Sequence, residues 1–120
     1  MKMLAIVNGY KGVGALKDQP LPLRAAHQLY MLRRELEPHV QFEIEQEREL
    51  LKKLGALNEG GQVEITDPET MEQFQQGMNA LLEQEVEIEL PPAAVPLDAA
   101  EGARMTPEQM GWLDGLVSFE

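Results

Sequence analysis

The sequence predicts an α+β fold in which a long, kinked helix and a second helix pack with a small antiparallel or mixed sheet. Apolar residues recur every three, four or seven positions between residues 22 and 54, which is the helical period. Residues 85–90 alternate strictly between glutamate and apolar residues, which is typical of a half-buried strand. A length of 120 residues fits one domain, and a hydrophobic content of 43% favours a folded chain.

The first element combines an apolar run with a cluster of glycines. Residues 3–7 are predicted as a short strand, Asn8-Gly9 as a turn, and residues 10–17 as a short helix. A strand followed by glycines and a lysine is also the order of a phosphate-binding loop. However, a nucleotide loop requires a lysine after its last glycine and then a serine or threonine. Here Lys11 lies between the glycines, and no hydroxyl residue follows. A simple turn is therefore favoured, and a nucleotide loop at residues 9–14 is an alternative.

The long helix is predicted from residue 22 to residue 54, which corresponds to about 50 Å at 1.5 Å per residue. Pro22 suits its first turn, and Gly55 suits its C-terminal cap. Pro38 lacks a backbone donor and disfavours the helical conformation of Glu37. Because the apolar stripe keeps its phase across Pro38, a kinked but nearly continuous helix is favoured over two helices. That stripe consists of Ala25, Leu29, Leu32, Leu36, Val40, Ile44, Leu51 and Leu54.

The second half of the chain alternates predicted strands with shorter helices. Residues 62–66 are expected to form a strand, and a helix follows whose start is marked by Asp67, Pro68 and a capping-box spacing from Thr66 to Glu69. Residues 85–90 are the clearest predicted strand. The proline- and alanine-rich residues 91–104 are predicted to be a linker within a single domain of residues 1–120. Thr106 starts a short helix to about residue 113, and residues 117–119 are a candidate final strand.

Composition excludes several classes of protein. A net charge of −11 argues against binding of nucleic acid or of an anionic membrane, since both need clustered Lys and Arg. The absence of cysteine excludes disulfides and thiolate chemistry. The first residues are too short an apolar run for a signal peptide, and no run of 18 apolar residues occurs. The expected location is therefore the cytoplasm.

No pattern predicts catalysis, a cofactor or a metal site. His27 and His39 are twelve residues apart on the long helix, about 18 Å, so they cannot share a metal ion. Ser118 is the only serine, and the sequence places no obvious base near it. We therefore expect no catalytic residue, no cofactor and no metal ligand, and we expect that the protein is not an enzyme.

Two groups of charged residues are candidates for contact with a partner. Glu85, Glu87 and Glu89 form a row spaced by about 6.6 Å per step, similar to the phosphates of a DNA strand. The same row is explained by an exposed sheet face or an edge strand guarded by charge. The second group is cationic and consists of Arg24, Arg33 and Arg34. The long helix is basic early and acidic late, which suits antiparallel self-association and equally suits ordinary solvated charge. A homodimer is expected because a helix this long must cover its apolar stripe, and the other elements are too few to cover all of it.

Several segments together resemble a family of small uncharacterised proteins of tailed bacteriophages and prophages. They are LPLRAAHQLYMLRREL with the ending LLKKLG, then PETMEQFQQGMNALLEQEVEIEL, and finally MTPEQMGWLDGLV. The most specific parts are the helix start at Leu21-Pro22 and the segment LLEQEVEIEL. The resemblance covers most of the chain and implies a phage or prophage origin and the cytoplasm of a bacterial host. It implies no activity and no catalytic residue.

These observations lead to three hypotheses about function. The first is a non-enzymatic, phage-type accessory protein that acts through protein–protein contacts, as a homodimer. The second is an acidic inhibitor that imitates nucleic acid with Glu85, Glu87 and Glu89 next to the acids of the long helix. The third is a protein that sequesters a small ligand such as a nucleotide, using the three arginines and the glycine loop.

Overall fold

The computed structural model describes residues 1–120 and has an α+β architecture, as predicted. Four helices, one 3₁₀ turn and two short strands follow one another along the chain. None of the helices combines the length and the apolar character needed to cross a bilayer. In chain order the elements are α1 (Met3–Gly14), α2 (Leu23–Lys53), α3 (Pro68–Leu82), β1 (Ala93–Val95), a 3₁₀ turn (Asp98–Ala100), α4 (Pro107–Trp112) and β2 (Val117–Phe119).

The first element is a helix and not the predicted strand. Met3, Ile6 and Val13 lie on one buried face of α1, at helical spacing. Gly9 and Gly12 lie on the same face, where their lack of a side chain lets Leu113 and Leu116 approach the helix backbone. A five-residue apolar run does not distinguish a strand from a buried helix segment, so the prediction of a strand at residues 3–7 was wrong.

The long helix α2 is one continuous element through Pro38, so the predicted helix is confirmed and the alternative of two helices is excluded. Its C-terminus uses the expected glycine, because Gly55 has a positive φ of 68° just after the last turn. Most of the predicted apolar stripe is buried, but Leu54 is half-buried and Ile44 is exposed. Ile44 is 48% exposed, and Glu43 takes the buried position beside it.

Helix α3 begins as predicted, although the capping residue is Asp67 alone. The carboxylate of Asp67 accepts hydrogen bonds from the backbone of Glu69 (3.2 Å) and the hydroxyl of Thr70 (2.9 Å). No strand forms at residues 62–66; one isolated bridge joins Leu57 to Val63. That prediction was wrong because an alternating run needs a neighbouring strand, and α3 follows too soon to provide one.

The sheet consists of β1 and β2, which pair in parallel and not in the predicted antiparallel or mixed arrangement. Ala93 pairs with Val117 and Val95 with Phe119. The chain returns through the 3₁₀ turn and α4, a crossover that a parallel pair requires. Residues 91–104 therefore differ from the predicted linker. They contain β1 and the 3₁₀ turn, and Ala93, Val95 and Ala100 are buried in the core.

The core lies between α1, α2 and this small sheet. Fourteen buried residues form one cluster, and α1, α2 and β1 contribute to it. Leu113, Leu116 and Val117 cover the cluster from the C-terminal side of the chain. The backbone N–H of Ala94 donates to Oε1 of Gln28 at 2.6 Å, which ties β1 to α2. A capping box between Thr106 and Gln109 starts α4 and fixes the return of the chain, as the sequence predicted.

Candidate functional site

The glycine-rich stretch does not form a phosphate loop. Residues 9–14 are helical within α1, and the backbone N–H groups that a phosphate would need are engaged in the helix. Gly9 and Gly12 are buried against Leu116 and Leu113, while Lys11 is exposed. The nucleotide-loop hypothesis is therefore corrected, because these glycines serve close packing between α1 and the C-terminal part of the chain.

The three arginines on α2 do not converge on one site. The Arg33 guanidinium lies 5.4 Å from the ring centroid of Tyr10, at a favourable distance for a cation–π contact. Arg33 also lines a cleft of about 190 Å³ between α1 and α2, together with Lys17 and Tyr30. Neither Arg24 nor Arg34 lines this cleft; both are exposed elsewhere on α2.

Glu85, Glu87 and Glu89 are exposed, as the alternating pattern predicts, but residues 85–90 do not form a strand. Val86 and Ile88 pack against the core, so the two-residue period is retained. The only β-type backbone pairing of residues 85–90 is one isolated antiparallel bridge between Lys2 and Glu85. The prediction of a strand failed because the chain that would pair with residues 86–90 enters α1 at residue 3.

The start of the chain supplies the partners of this segment. The Met1 ammonium donates to Oε2 of Glu85 (3.1 Å) and to the carbonyl of Val86 (3.0 Å), and Lys2 pairs with Glu83 at 2.6 Å. This ion pair raises the pKa of Lys2, mainly through its hydrogen bond to Glu83. Residues 85–90 border a groove with Met1, Gly115 and Leu116, and no acidic residue of α2 lines that groove. The glutamate row and the acids of α2 thus border different clefts.

The solvent-facing side of α2 carries a symmetric set of residues that we call the α2 outer face. Its members are Arg24, Met31, Phe42 and Glu49, and all four are exposed. Their spacings of 7, 11 and 7 residues place them within about 20° of one another around the helix at 100° per residue. Two exposed apolar residues, Met31 (37%) and Phe42 (44%), therefore lie between a cation and an anion on one line.

A second arrangement, which we call the Glu43 cleft, lies between α1, α2 and the end of α3. Glu43 is the only charged or polar residue that the fold buries, with 7% of its surface exposed. The carboxylate has no hydrogen bond and no ion pair. Burial raises the pKa of Glu43, the charge of Glu47 raises it further, and Lys11 opposes the shift.

The histidines and the serine considered for chemistry in the sequence lie on α2 and β2. His27 is exposed and His39 is half-buried, both on α2, and Ser118 is exposed on β2. No group of three or more His, Asp or Glu side chains is arranged to hold a metal ion. No family model, curated protein or solved structure matches the chain.

Sequence reasoning missed Glu43, Met31 and Phe42. A signal for Glu43 was present, because it lies seven residues after Leu36 and three after Val40, in phase with the buried stripe. The apolar character of Ile44 hid this signal, since Ile44 fits the same stripe with a step of four. The outer face could have been found by examining the side of α2 opposite the buried stripe.

Proposed function

We propose that this chain is a non-enzymatic, phage- or prophage-type accessory protein that acts through protein–protein contacts as an antiparallel homodimer. The phage origin and the bacterial cytoplasm come from the sequence resemblance alone. The observation that carries the contact function is the α2 outer face. An exposed apolar pair flanked by opposite charges on one line of a long helix is a surface suited to a second helix.

The register of the dimer follows from the symmetry of the outer face. Two copies of α2 related by a two-fold axis between residues 36 and 37 bring Met31 of one copy opposite Phe42 of the other. The same axis brings Arg24 opposite Glu49. The apolar contact between Met31 and Phe42 and the ion pair between Arg24 and Glu49 are thus each formed twice by a single operation, as an isologous interface requires. The contact extends for about 37 Å along the helix.

The charge distribution selects the antiparallel orientation. In a parallel pair, Glu49 would face Glu49 and Arg24 would face Arg24, and both contacts would be repulsive. The exposed Glu49 already lies 3.6 Å from Lys52 on its own helix. Such an exposed pair contributes little to stability, so it does not prevent Glu49 from meeting a second cation.

The test is the oligomeric state measured by sedimentation equilibrium. The wild-type chain is expected to sediment as a dimer, and Phe42→Glu as a monomer because a carboxylate replaces the central apolar contact. Tyr30→Glu is the matched control, since Tyr30 is also exposed on α2 but points about 100° away from Met31. A wild-type monomer at 100 μM, or equal association of the two variants, would refute the dimer.

A charge exchange tests the register. Arg24→Glu and Glu49→Arg should each weaken the dimer, and the double variant should restore it, because the exchanged charges face each other across the axis. Failure of the double variant to associate better than the single variants would exclude this register while leaving another dimer possible.

The second hypothesis, imitation of nucleic acid, has one supporting observation, the exposure of Glu85, Glu87 and Glu89. It also requires continuity with the acids of α2, and the two groups border separate clefts. A pull-down from nuclease-treated bacterial lysate compares the two hypotheses. Loss of a nucleic-acid-handling partner on replacing these glutamates with glutamine would favour imitation. Loss on Phe42→Glu alone would favour the contact function.

A further inference from the structure

The Glu43 cleft is a concave site with one carboxylate among apolar side chains. Its volume is about 380 Å³. Helix α1 contributes its outward edge, α2 contributes the turn around Glu43, and α3 contributes its last residue. The lining residues are Leu4, Val7, Asn8, Lys11, Val40, Glu43, Ile44, Glu47 and Leu82.

The carboxylate of Glu43 opens toward this cleft without a partner of its own. Every side-chain polar atom that is sealed from solvent has a hydrogen bond, so the unpaired oxygens of Glu43 are not sealed. The residue as a whole is buried and lines the cleft, so the cleft gives its oxygens access to solvent. Lys11, the one cation at the site, forms no ion pair with Glu43 or Glu47 within 4.0 Å.

We propose that the Glu43 cleft binds the guanidinium or ammonium group of an arginine or lysine side chain of a partner protein. Two carboxylates against one lysine leave the cleft with a surplus of negative charge, which a cation neutralises. The apolar walls from Leu4, Val7 and Leu82 fit the methylene stem of such a side chain. The proposal goes beyond the dimer, because Glu43 points about 100° away from Phe42 on α2.

A partner protein, and not a free amine, is the occupant that the rim favours. Leu4 is 45% exposed and Ile44 is 48% exposed at the edges of the cleft. A small cation would leave both in water, whereas residues flanking an arginine in a partner would cover them. A charged group enclosed by a ring of apolar contacts is the arrangement found at strongly binding positions of protein interfaces.

The groups that set the charge of the site are Glu43 and Glu47 from α2 and Lys11 from α1; α3 contributes the uncharged Leu82. Burial raises the pKa of Glu43 above its ordinary value. A bound cation favours the charged form and lowers that pKa. This gives the proposal a readout that a merely structural carboxylate would not show.

The experiment uses the full chain in the Phe42→Glu background, so that its result does not depend on the dimer. The probe is the capped tripeptide acetyl-Leu-Arg-Leu-amide, and acetyl-Leu-Gln-Leu-amide is the uncharged control. Titration is followed by NMR of the backbone amides and of the Glu43 carboxyl carbon. The arginine peptide is expected to shift amides of Leu4, Lys11 and Glu43 and to lower the pKa of Glu43.

Variants separate binding from folding. Glu43→Gln keeps the shape of the side chain and should weaken binding at least tenfold, whereas Glu45→Gln, an exposed glutamate on α2, should leave it unchanged. Lys11→Gln should strengthen binding, because it removes the resident cation. Equal binding by the Phe42→Glu chain with and without Glu43→Gln, or no shift with 10 mM peptide, would overturn the proposal. Butylguanidinium binding as tightly as the peptide would overturn the assignment to a partner protein.

Discussion

Replacing Gly9 with alanine tests how the two ends of the chain pack. A Cβ at this position would overlap Cδ1 of Leu116 and lie 3.4 Å from the carbonyl oxygen of Trp112. Leu116 is 2% exposed, so its side chain has no solvent to move into. We therefore expect Gly9→Ala to separate α1 from the segment that follows α4.

The magnitude follows from two opposing contributions. Alanine in a helix interior is favoured over glycine by up to about 1 kcal/mol. Forcing one extra carbon into a packed core costs about 1–3 kcal/mol. Gly14→Ala provides a matched control, because Gly14 is also in α1 and a Cβ there meets nothing within 4 Å. Because Gly14 is the last residue of α1, its gain in helix propensity is at most that of Gly9, so the difference between the two variants is a lower bound on a steric cost of about 1–3 kcal/mol.

The assay is urea unfolding followed by circular dichroism at 222 nm for the wild type and the two variants. Gly9→Ala should have the lower midpoint, and Gly14→Ala should equal or exceed the wild type. A double-mutant cycle with Leu116→Ala should show coupling, because truncation of Leu116 makes room for the added carbon. Equal stability of the two glycine variants would show that Leu116 repacks freely and that its contact with Gly9 is not rigid.

Three further changes have expected outcomes. Pro38→Ala should raise the free energy of unfolding by about 1–3 kcal/mol, since it supplies the missing donor for the carbonyl of Arg34; a lower thermal midpoint would contradict this. Thr106→Ala removes the capping box of α4 and should cost about 1 kcal/mol in chemical denaturation. Glu43→Gln should stabilise the chain by about 1 kcal/mol at pH 7. The folded state raises the pKa of Glu43 above its ordinary value of 4.5, so ionisation of Glu43 destabilises the folded chain. The advantage of glutamine should therefore vanish near pH 4, where Glu43 is protonated in both states, and grow as the pH rises. A pH-independent advantage would show that the charge of Glu43 is not its cause.

The helices were predictable because their signals are local. Asp67 and Thr106 mark helix starts through hydrogen bonds within three residues, and Pro22 and Gly55 border α2 by their own backbone preferences. The period of α2 extends over eight turns, which is enough to outweigh the proline inside it. Each of these signals is complete within one segment and needs no knowledge of what packs against it.

The strands were not predictable in the same way, because a strand exists only with its neighbour. Residues 85–90 have the strongest alternation in the chain, yet the chain offers them only the two residues before α1. Residues 93–95 have little strand character in the sequence but lie beside β2, to which α4 returns the chain. Pairing is decided by the path of the chain between strands, which alternation does not encode.

The candidate surfaces were only partly accessible to sequence reasoning. The opposite charges along α2 were visible and led to the idea of antiparallel association. The symmetric spacing of Arg24, Met31, Phe42 and Glu49 matters only once the buried face is known. Glu43 was hidden because counting acids at a net charge of −11 does not reveal which one the fold encloses.

The packing of α1 against Leu113 and Leu116 determines when the core can be completed during synthesis. About a hundred residues of chain separate Gly9 from these partners, so α1 leaves the ribosome long before they are made. Until then, the apolar face around Ile6 and Val13 can be covered only by α2 and the other elements that precede Leu113. Contacts between distant parts of a sequence form late and slow the folding of a small domain. A nascent chain that lacks Leu116 therefore leaves part of this face exposed, and the core closes only when the last residues of α4 and β2 are in place.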